Sequence, residues 1–340
     1  GIDAVMIATP DHVHAVATLA AMRLGKHVYC EKPLTHTVEE ARKVAEEARK
    51  SKVATQMGNQ GNSSEGIRQV IEWVRAGVIG EVRELHAWSD AGGWAEGRTS
   101  APKDSPPVPQ GLDWDLWLGP VKPRAYHPAY APYNWRGWWA FGGGAIGDMG
   151  CHNIDPAFAA LELGSPDTIE ASGVGRNPET SGWGSIIHYT FPARGEMPPV
   201  KLTWYDGGLK PPRPEEFAPG ERFDGNGLLL VGSKGKLLCG GWSRDPRLLP
   251  ASRMKEFEPP PKTLPRVSAH DRAWIDACKG GPKPSSSFEY GGALTEVVLL
   301  GAVALQVGEK IHWDGPNLRA TNSGKVEELI RTEYRKGWSL

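Results

Sequence analysis

The chain has 340 residues, of which 39% are hydrophobic, so it is long enough to bury two ordinary cores, and we expect two domains. Its formal net charge of -1 gives no electrostatic basis for binding nucleic acid or an anionic membrane. No stretch reads as continuously apolar over the roughly 20 residues that a membrane-spanning helix needs.

The four cysteines, Cys30, Cys151, Cys239 and Cys278, lie far apart, and none of them forms a CxxC pair. This spacing predicts neither a disulfide framework nor a zinc site, and it favours free thiols in a reducing compartment such as the cytoplasm. Export stays open as an alternative, because the first residues, GIDAVMIATP, already read as an apolar strand. We therefore expect that an N-terminal segment, with any signal peptide, is missing from this sequence.

The first 90 residues alternate between predicted strands and predicted helices. Strands are expected at residues 4–9, 27–30, 53–57 and 82–88, and helices at residues 12–24, 38–50 and 64–76. Continuous apolar strands separated by amphipathic helices are typical of a parallel sheet with right-handed crossovers. Ligands of such sheets bind at the carboxyl ends of the strands, where this sequence places the polar loops TPDHVH, CEKP and MGNQGNSSE.

Residues 89–143 are rich in proline, glycine and tryptophan, and seven of the 14 tryptophans lie between Trp88 and Trp139. Segments such as LDWDLWLGP carry too much aromatic surface to stay solvated, so ordered irregular structure is predicted here. Flat aromatic faces suit the apolar faces of sugar rings, although a tryptophan-rich core or interface is the alternative.

The remainder of the chain predicts a second, different sheet. A helical stretch is expected at 144–163, strands at 168–175, 184–191, 199–205, 227–231 and 236–239, and helices at 269–279 and 289–306. Several short strands in succession indicate antiparallel pairing. The predicted fold class is a partial α/β parallel sheet (residues 1–90, first strands missing), followed by an α+β domain (residues 91–340) with a large, mainly antiparallel sheet.

The segment GGGAIGDMGCHNIDPAF contains the residues best suited to proton transfer. Asp148 and His152 are four residues apart, so they share one face of a helix, and Pro156 should make that helix kink or restart near the histidine. A histidine with a nearby carboxylate can move protons near neutral pH, while a core histidine satisfied by the aspartate is the alternative. Metal binding with Cys151 is not favoured: adjacent residues cannot both point the same way on a helix, and no third ligand is evident.

The segments ATPDHVHAVATLAAMRLGKHVYCEKPL and GGGAIGDMGCHNID together resemble the glucose–fructose oxidoreductase / inositol dehydrogenase (Gfo/Idh/MocA) family. In that family an E-K-P motif follows a strand of a Rossmann domain, and D-x-x-x-H lies in the second domain. The resemblance implies an NAD- or NADP-dependent oxidoreductase acting on a sugar, polyol or glycoside. It also implies a homodimer or homotetramer.

The resemblance assigns catalytic roles to matching residues. Lys32 is expected to contact both the reacting hydroxyl and the nicotinamide side, and Glu31 to lie beside the nicotinamide ribose. The peptide bond before Pro33 is expected to be cis. Asp148 is expected to orient the substrate, and His152 to accept the hydroxyl proton.

Further contacts follow from the same resemblance. Two loops are expected to flank the cofactor, one with Thr9, Pro10 and His14 and the other with Asn59 and Gln60. Trp135 and Arg136 are expected to line the sugar pocket.

The sequence departs from the family in one respect. The family's G-x-G-x-x-G turn, which binds the pyrophosphate, does not occur before the E-K-P motif, and neither does the residue that distinguishes NAD from NADP. Weak or no dinucleotide binding is therefore predicted for these 340 residues.

Two other functions stay open beside the dehydrogenase. One is a redox-neutral glycosidase or lyase on the same scaffold, in which Tyr126, Tyr130 or Tyr133 supplies an extra acid or base. The other is a non-enzymatic binding or assembly module.

Overall fold

The computed structural model describes residues 1–94, 98 and 100–340. A first sheet has three parallel strands in the order β1 (Ala4–Ile7), β2 (His27–Glu31) and β3 (Thr55–Gly58). The helices after these strands are α1 (Asp11–Arg23), α2 (Val38–Lys50) and α3 (Glu65–Arg75). This confirms the predicted parallel arrangement of the first 75 residues.

A capping box sets the start of α2 shortly after the EKP loop. The side chain of Thr37 accepts a hydrogen bond from the amide of Glu40, and the carboxylate of Glu40 accepts one from the amide of Thr37. Two otherwise unpaired amides at the helix start are satisfied in this way. The loop between β2 and α2 is therefore anchored at its far end.

The strand predicted at 82–88 is present as β4 (Val82–Ser89), but its expected place in the parallel sheet is wrong. It lies inside the second sheet, antiparallel to one neighbour and parallel to the other. The sheets therefore divide between Gly58 and Val82. The division of the chain into domains at residue 90 stays a prediction.

The second sheet has nine strands and is mainly antiparallel, as predicted, with β4 and β7 as its parallel pair. The five strands predicted after residue 168 are β5 (Thr168–Val174), β6 (Gly184–Phe191), β7 (Val200–Tyr205), β8 (Asn226–Gly232) and β9 (Gly235–Gly240). Three strands were not predicted, namely β10 (Arg244–Leu249), β11 (Ile311–Asp314) and β12 (Arg319–Ala320). The nine strands of this sheet lie in the order β10-β9-β8-β4-β7-β6-β5-β11-β12.

The predicted helical stretch 144–163 forms two helices, α5 (Gly144–Asn153) and α6 (Asp155–Ala160). Pro156 lies in the first turn of α6, where its missing N–H costs nothing. The restart near His152 is thus confirmed. Two short helices, α4 (Trp114–Leu118) and α9 (Lys325–Leu329), were not predicted.

The helices predicted at 269–279 and 289–306 are α7 (His270–Cys278) and α8 (Phe288–Val307). Helix α8 contacts α2 and β3 on one side and α5 and β5 on the other, so it connects the two sheets. Gly292 permits its close approach to α2, because a Cβ there would lie 2.8 Å from the Cβ of Ala45.

Helix α8 also corrects the expectation that no stretch is apolar enough to span a bilayer. It has 20 residues, and an 18-residue window of them reaches a mean hydropathy of 1.5, which meets that requirement by length and composition. However, 78% of the apolar window is buried inside the protein. Its contacts with both sheets are those of a core helix.

The aromatic segment before α5 forms a second apolar cluster of its own. Trp114, Trp135, Trp138 and Phe141 are buried in it. The prediction of ordered irregular structure is confirmed for the described part of residues 89–143. Trp94 is described, but the neighbouring residues 95–97 and 99 lie outside the described set.

Candidate active site

A cleft of about 720 Å³ opens at the carboxyl ends of β1 and β2. One wall comes from the loops after these strands, residues 8–11 and 31–32, and the other from α5 and the aromatic segment. The E-K-P loop and the D-x-x-x-H helix therefore meet at one site, although Lys32 and Asp148 are 116 residues apart in the sequence.

The two walls are joined by an ion pair. The ammonium Nζ of Lys32 lies 2.7 Å from a carboxylate oxygen of Asp148 and 2.7 Å from the backbone carbonyl oxygen of the same residue. That carbonyl is the one that an α-helix offers to the amide four residues on, which is the amide of His152. The lysine is thus bound to the helical turn that carries the histidine.

Asp148 receives a second cation. Nε of Arg136 lies 3.3 Å from the carboxylate oxygen that Lys32 contacts. Burial by itself would raise the pKa of Asp148, but the charges of Lys32 and Arg136 outweigh it and lower that pKa below its usual value. The carboxylate is therefore ionised at neutral pH, and its charge is shared between two donors.

His152 differs from its neighbours because its side chain has no hydrogen-bond partner in the described chain. It is 4% exposed, and its Nδ1 is buried without a partner. Burial, with a smaller contribution from the charge of Lys32, lowers its pKa to about 3, so the imidazole is neutral. The alternative of a core histidine satisfied by Asp148 is not supported, because that carboxylate binds Lys32 and Arg136 instead.

The E-K-P loop contains the cis peptide bond that the resemblance implied. The Lys32–Pro33 peptide bond is cis. The carboxylate of Glu31 accepts hydrogen bonds from the side-chain amide of Gln60 at 3.2 and 3.4 Å, and burial raises its pKa. Gly58 makes room for this carboxylate, because a Cβ at that position would lie 2.6 Å from it.

His14 connects the first two loops. Its Nδ1 lies 2.8 Å from the carbonyl oxygen of Pro33 and its Nε2 lies 2.8 Å from that of Thr9. Thr9, Pro10 and His14 all line the cleft. Since both ring nitrogens of His14 face protein carbonyls, the residue holds the two loops together.

Asn59 is placed differently from Gln60, although both were predicted to contact a cofactor. Its side chain is fully buried, its amide donates to Asp155 at 2.9 Å, and its oxygen accepts a hydrogen bond from Ser286. Asn59 does not line the cleft among the described residues. Its geometry favours a structural role, and only Gln60 stays beside the E-K-P loop.

Aromatic side chains form the outer wall of the cleft. The wall contains Trp117, Tyr126, Tyr133 and Trp135. The guanidinium carbon of Arg136 lies 4.3 Å from the ring centroid of Trp135 and 4.7 Å from that of Tyr133. Tyr130, one of the three tyrosines considered as an acid or base, is buried in the aromatic cluster against Trp138.

Two residues near the site were not found by the sequence reasoning. Asp11 lines the cleft and is 4% exposed, and burial raises its pKa well above its usual value. Its position in the TPDHVH loop was a signal, but an acidic residue at a helix start is ordinarily a solvated one. Trp242 packs against His152 with ring centroids 5.4 Å apart, and no local pattern indicates this contact.

The described residues contain no group of three or more His, Cys, Asp or Glu side chains placed to hold a metal ion. Cys151 is buried and its sulfur lies 3.9 Å from the hydroxyl of Thr295, away from His152. All four cysteines are free thiols, as predicted.

The cleft fits the nicotinamide end of a dinucleotide. It lies at the carboxyl ends of parallel strands, and the polar side chains of Thr9, Glu31 and Lys32 line it. The residues suited to hold that end are Thr9, Pro10, Glu31 and Lys32.

Two family models match the chain, and together they cover more than half of it. The first describes an oxidoreductase family with an NAD-binding Rossmann fold and matches residues 1–59. The second describes the C-terminal alpha/beta domain of the same oxidoreductase family and matches residues 70–195.

Curated relatives and a solved structure agree with these models. The chain is 28% identical to a 1,5-anhydro-D-fructose reductase of Ensifer adhaerens, over 45% of this chain and 36% of that protein. It is 24% identical to a levoglucosan dehydrogenase of Pseudarthrobacter phenanthrenivorans, over 59% of this chain and 44% of that protein. The matches thus span less than half of either relative.

The fold matches that of a solved WlbA dehydrogenase of Bordetella pertussis, which was determined in complex with NADH and UDP-GlcNAcA. The TM-score is 0.60 and the sequence identity is 15%. The match covers 92% of this chain and 79% of that one. The two sheets, the paired motifs and the matching models lead to one conclusion: the chain belongs to the Gfo/Idh/MocA oxidoreductase family.

Proposed function

We propose that the protein is a nicotinamide-dependent oxidoreductase that acts on a hydroxyl group of a sugar, polyol or glycoside. The observation that carries this proposal is the Lys32–Asp148 ion pair, which brings the E-K-P loop to the helical turn below His152. The ammonium lines the cleft, and the neutral imidazole of His152 is buried one helical turn after Asp148, behind the lining residues. These are the two groups that oxidation of a carbinol requires.

The residues divide the work between them. A bound nicotinamide, NAD or NADP, supplies the acceptor for the hydride that leaves the carbinol carbon. His152 accepts the hydroxyl proton, which it can do because it is neutral. The ammonium of Lys32 stabilises the negative charge that develops on the substrate oxygen.

Lys32 is the more important of the two groups for activating the hydroxyl. The low pKa of His152 makes its imidazole a weak base, so the hydroxyl must itself become more acidic before it gives up its proton. A nearby ammonium in a partly buried site has that effect. Asp148 contributes by holding Lys32 in place.

The lining of the cleft supports a carbohydrate as the substrate class. Aromatic rings on one side suit the apolar faces of a sugar ring. Charged groups on the other side, from Asp11, Glu31, Lys32 and Asp148, suit its hydroxyls. The volume of about 720 Å³ falls within the range of small-molecule sites, which is about 300 to 1,000 Å³.

The test is turnover of the full-length protein with NAD or NADP and a panel of sugars and polyols, followed through the absorbance of the reduced cofactor. His152→Ala should abolish turnover while circular dichroism and thermal melting stay unchanged. Trp183→Ala, at a side chain that is 52% exposed, is the control and should keep normal activity. Normal turnover by the His152→Ala variant would end the proposal.

A redox-neutral glycosidase or lyase stays a second candidate because Tyr126 and Tyr133 both line the cleft. Either phenol is placed where it can protonate a leaving group. Release of an aglycone from a glycoside without net formation of reduced cofactor would favour this candidate. Net formation of reduced cofactor in step with substrate loss would exclude it.

We further propose that these 340 residues alone bind NAD weakly, because the sequence contains no G-x-G-x-x-G turn before the E-K-P motif. Isothermal titration with NAD and NADP should give no measurable heat at ordinary protein concentrations. Micromolar affinity would contradict this. We also propose that the protein is a homodimer or homotetramer in the cytoplasm, which light scattering and cell fractionation would test.

A further inference from the structure

Trp242 lies in a tight turn between β9 and β10 and packs on the histidine of the active site. Its ring centroid is 5.4 Å from that of His152, with the ring planes tilted by 42°. Its backbone is in the left-handed region, with φ at 58° and ψ at 31°. A tryptophan rarely adopts this conformation, so the surrounding structure must hold it there.

The turn is held by the loop after β3. A Cβ on Gly61 would lie 2.8 Å from the carbonyl oxygen of Trp242, so the two backbones are in direct contact. A Cβ on Gly66 would collide with the carbonyl of Ser243. The backbone of the turn that carries Trp242 therefore lies directly against the loop after β3 and the start of α3.

Packing is what holds the imidazole of His152. The side chain of His152 makes no hydrogen bond to the described chain, and its Nδ1 is buried without a partner. A ring that is not fixed by hydrogen bonds can rotate unless its neighbours prevent it. The large side chain that packs against it, with the ring planes tilted by 42°, is Trp242.

We propose that Trp242 is a positioning residue that orients the imidazole of His152 and keeps water away from it. The inference rests on the proposed function, since it gives a structural cause for the behaviour of the proposed base. Neither Trp242 nor His152 is among the residues that line the cleft, and Trp242 contacts the histidine ring from behind, so we assign its effect on turnover to the orientation of His152.

The electrostatic surroundings of His152 define what removing the ring would do. Three other groups act on it, namely Lys32 from the loop after β2, Asp148 from α5 and His270 from α7. Burial is the largest cause of its lowered pKa, ahead of all three. Water admitted by loss of the Trp242 ring would weaken that cause and raise the pKa of His152 toward its ordinary value.

The first test is a proton titration followed by NMR on protein labelled at histidine, from about pH 5 to about pH 8. The chain has 10 histidines, and the signal of His152 is assigned as the one lost in His152→Asn. In the unaltered protein this signal should not titrate in that range. In Trp242→Gly it should titrate within that range, which requires a pKa raised from about 3 by at least about two units.

The choice of variants separates the ring from the backbone. Glycine accepts a left-handed φ without strain, so Trp242→Gly removes the ring and leaves the turn relaxed. Trp242→Phe keeps an aromatic ring and should leave His152 without a titration. Trp183→Ala is the control for loss of an unrelated tryptophan. An unchanged His152 signal in Trp242→Gly would overturn the proposal.

The second test is kinetic and uses the full-length protein. For Trp242→Gly, kcat should fall about 10- to 100-fold while KM stays nearly constant, because the base is misplaced and the cleft is intact. The acid limb of the rate profile should move to higher pH. A raised KM with normal kcat would overturn the proposal. If no variant and no parent protein turns over, the proposed function fails, and the titration still decides the role of Trp242.

Discussion

The two proposed catalytic groups are held in opposite ways. Lys32 lies on a loop of the parallel sheet and is fixed by charge, through two contacts of 2.7 Å to Asp148. His152 lies on a helix of the second half and is fixed by packing, with Trp242 against its ring and no hydrogen bond in the described chain. Lys32, which must keep its charge, is paired with a carboxylate. His152, which must stay neutral, is buried among other side chains.

This difference has a physical logic. A buried ammonium without a partner would lose its proton, so its position must include a carboxylate. An imidazole that is to accept a proton must be in its neutral form, with one ring nitrogen unprotonated. Burial favours that form. Perturbing the charged side and perturbing the packed side should therefore produce effects of different kinds.

After the loss of His152 itself, the largest effect is expected from removing the charge of Lys32. Lys32→Met keeps the side-chain length and deletes the ammonium, so kcat should fall about 100- to 1,000-fold through loss of charge stabilisation. Steady-state kinetics of the full-length protein measure this. Lys52→Met, at an exposed lysine, is the matched control and should keep normal kcat. Equal losses in the two variants would show that the charge of Lys32 has no special role.

Removing the partner of Lys32 should cost stability in a pH-dependent way. Asp148→Asn should lower the free energy of unfolding by about 1.5 to 3 kcal/mol, the range for hydrogen bonds to charged groups. The pKa of Asp148 is lowered in the folded protein, so its contribution is fully present above its unfolded value near 3.8. That contribution is lost as the pH falls through the lowered folded value.

The measurement for this variant is urea unfolding of both proteins at several pH values. The difference between them should be constant near neutral pH and should shrink only in strong acid. Asp113→Asn, at an aspartate in the aromatic segment before α5, is the control. A difference that grows as the pH falls would contradict the assigned direction of the pKa shift.

The packed side can be tested on α5 itself. A Cβ on Gly150 would lie 2.8 Å from a methyl carbon of Val298 on α8, whereas a Cβ on Gly147 would meet nothing within 4 Å. Gly150→Ala should therefore destabilise the protein by about 1 to 3 kcal/mol through overpacking. Gly147→Ala should leave stability unchanged or raise it by up to about 1 kcal/mol, because alanine is the better helix former.

Urea unfolding of the two glycine variants gives the comparison directly. Both substitutions add one methyl group to the same helix, so they differ only in what that group meets. Similar changes in unfolding free energy for the two variants would mean that the contact between α5 and α8 is not tight.

The smallest effect is expected at the start of α2. Thr37→Ala removes the side chain that accepts from the amide of Glu40 and should lower the unfolding free energy by about 1 kcal/mol. Thr37→Ser keeps the oxygen and should lose less than half of that. Thermal melting of the two variants measures the difference, and equal losses would show that the hydroxyl does not cap the helix.

Much of the architecture was predictable because it depends on neighbouring residues. The helices and strands of the first 75 residues follow from local periodicity and caps, and Pro156 marks the restart between α5 and α6. The strand β4 was found, but its sheet was not. Its parallel partner β7 begins at Val200, more than a hundred residues away, and no local pattern carries that information.

The site was predictable to a similar degree. The resemblance pointed to Lys32, Asp148 and His152, and the structure brings the loop of the first to the helix of the other two. Asn59 looked equivalent to Gln60 in sequence, yet it is buried on Asp155. Burial of a loop residue depends on what packs over it, so sequence reasoning had no means to separate the two.

The sequence by itself determined most of the helices and strands and the two motifs, because each of these depends on residues within a few positions of one another. The tertiary structure alone decided that β4 enters the second sheet, that Asp148 binds both Lys32 and Arg136, and that Trp242 covers His152. Most of these contacts join residues separated by tens of positions or more. Their energies come from burial and from charge across the cleft, and those quantities exist only once the chain has folded.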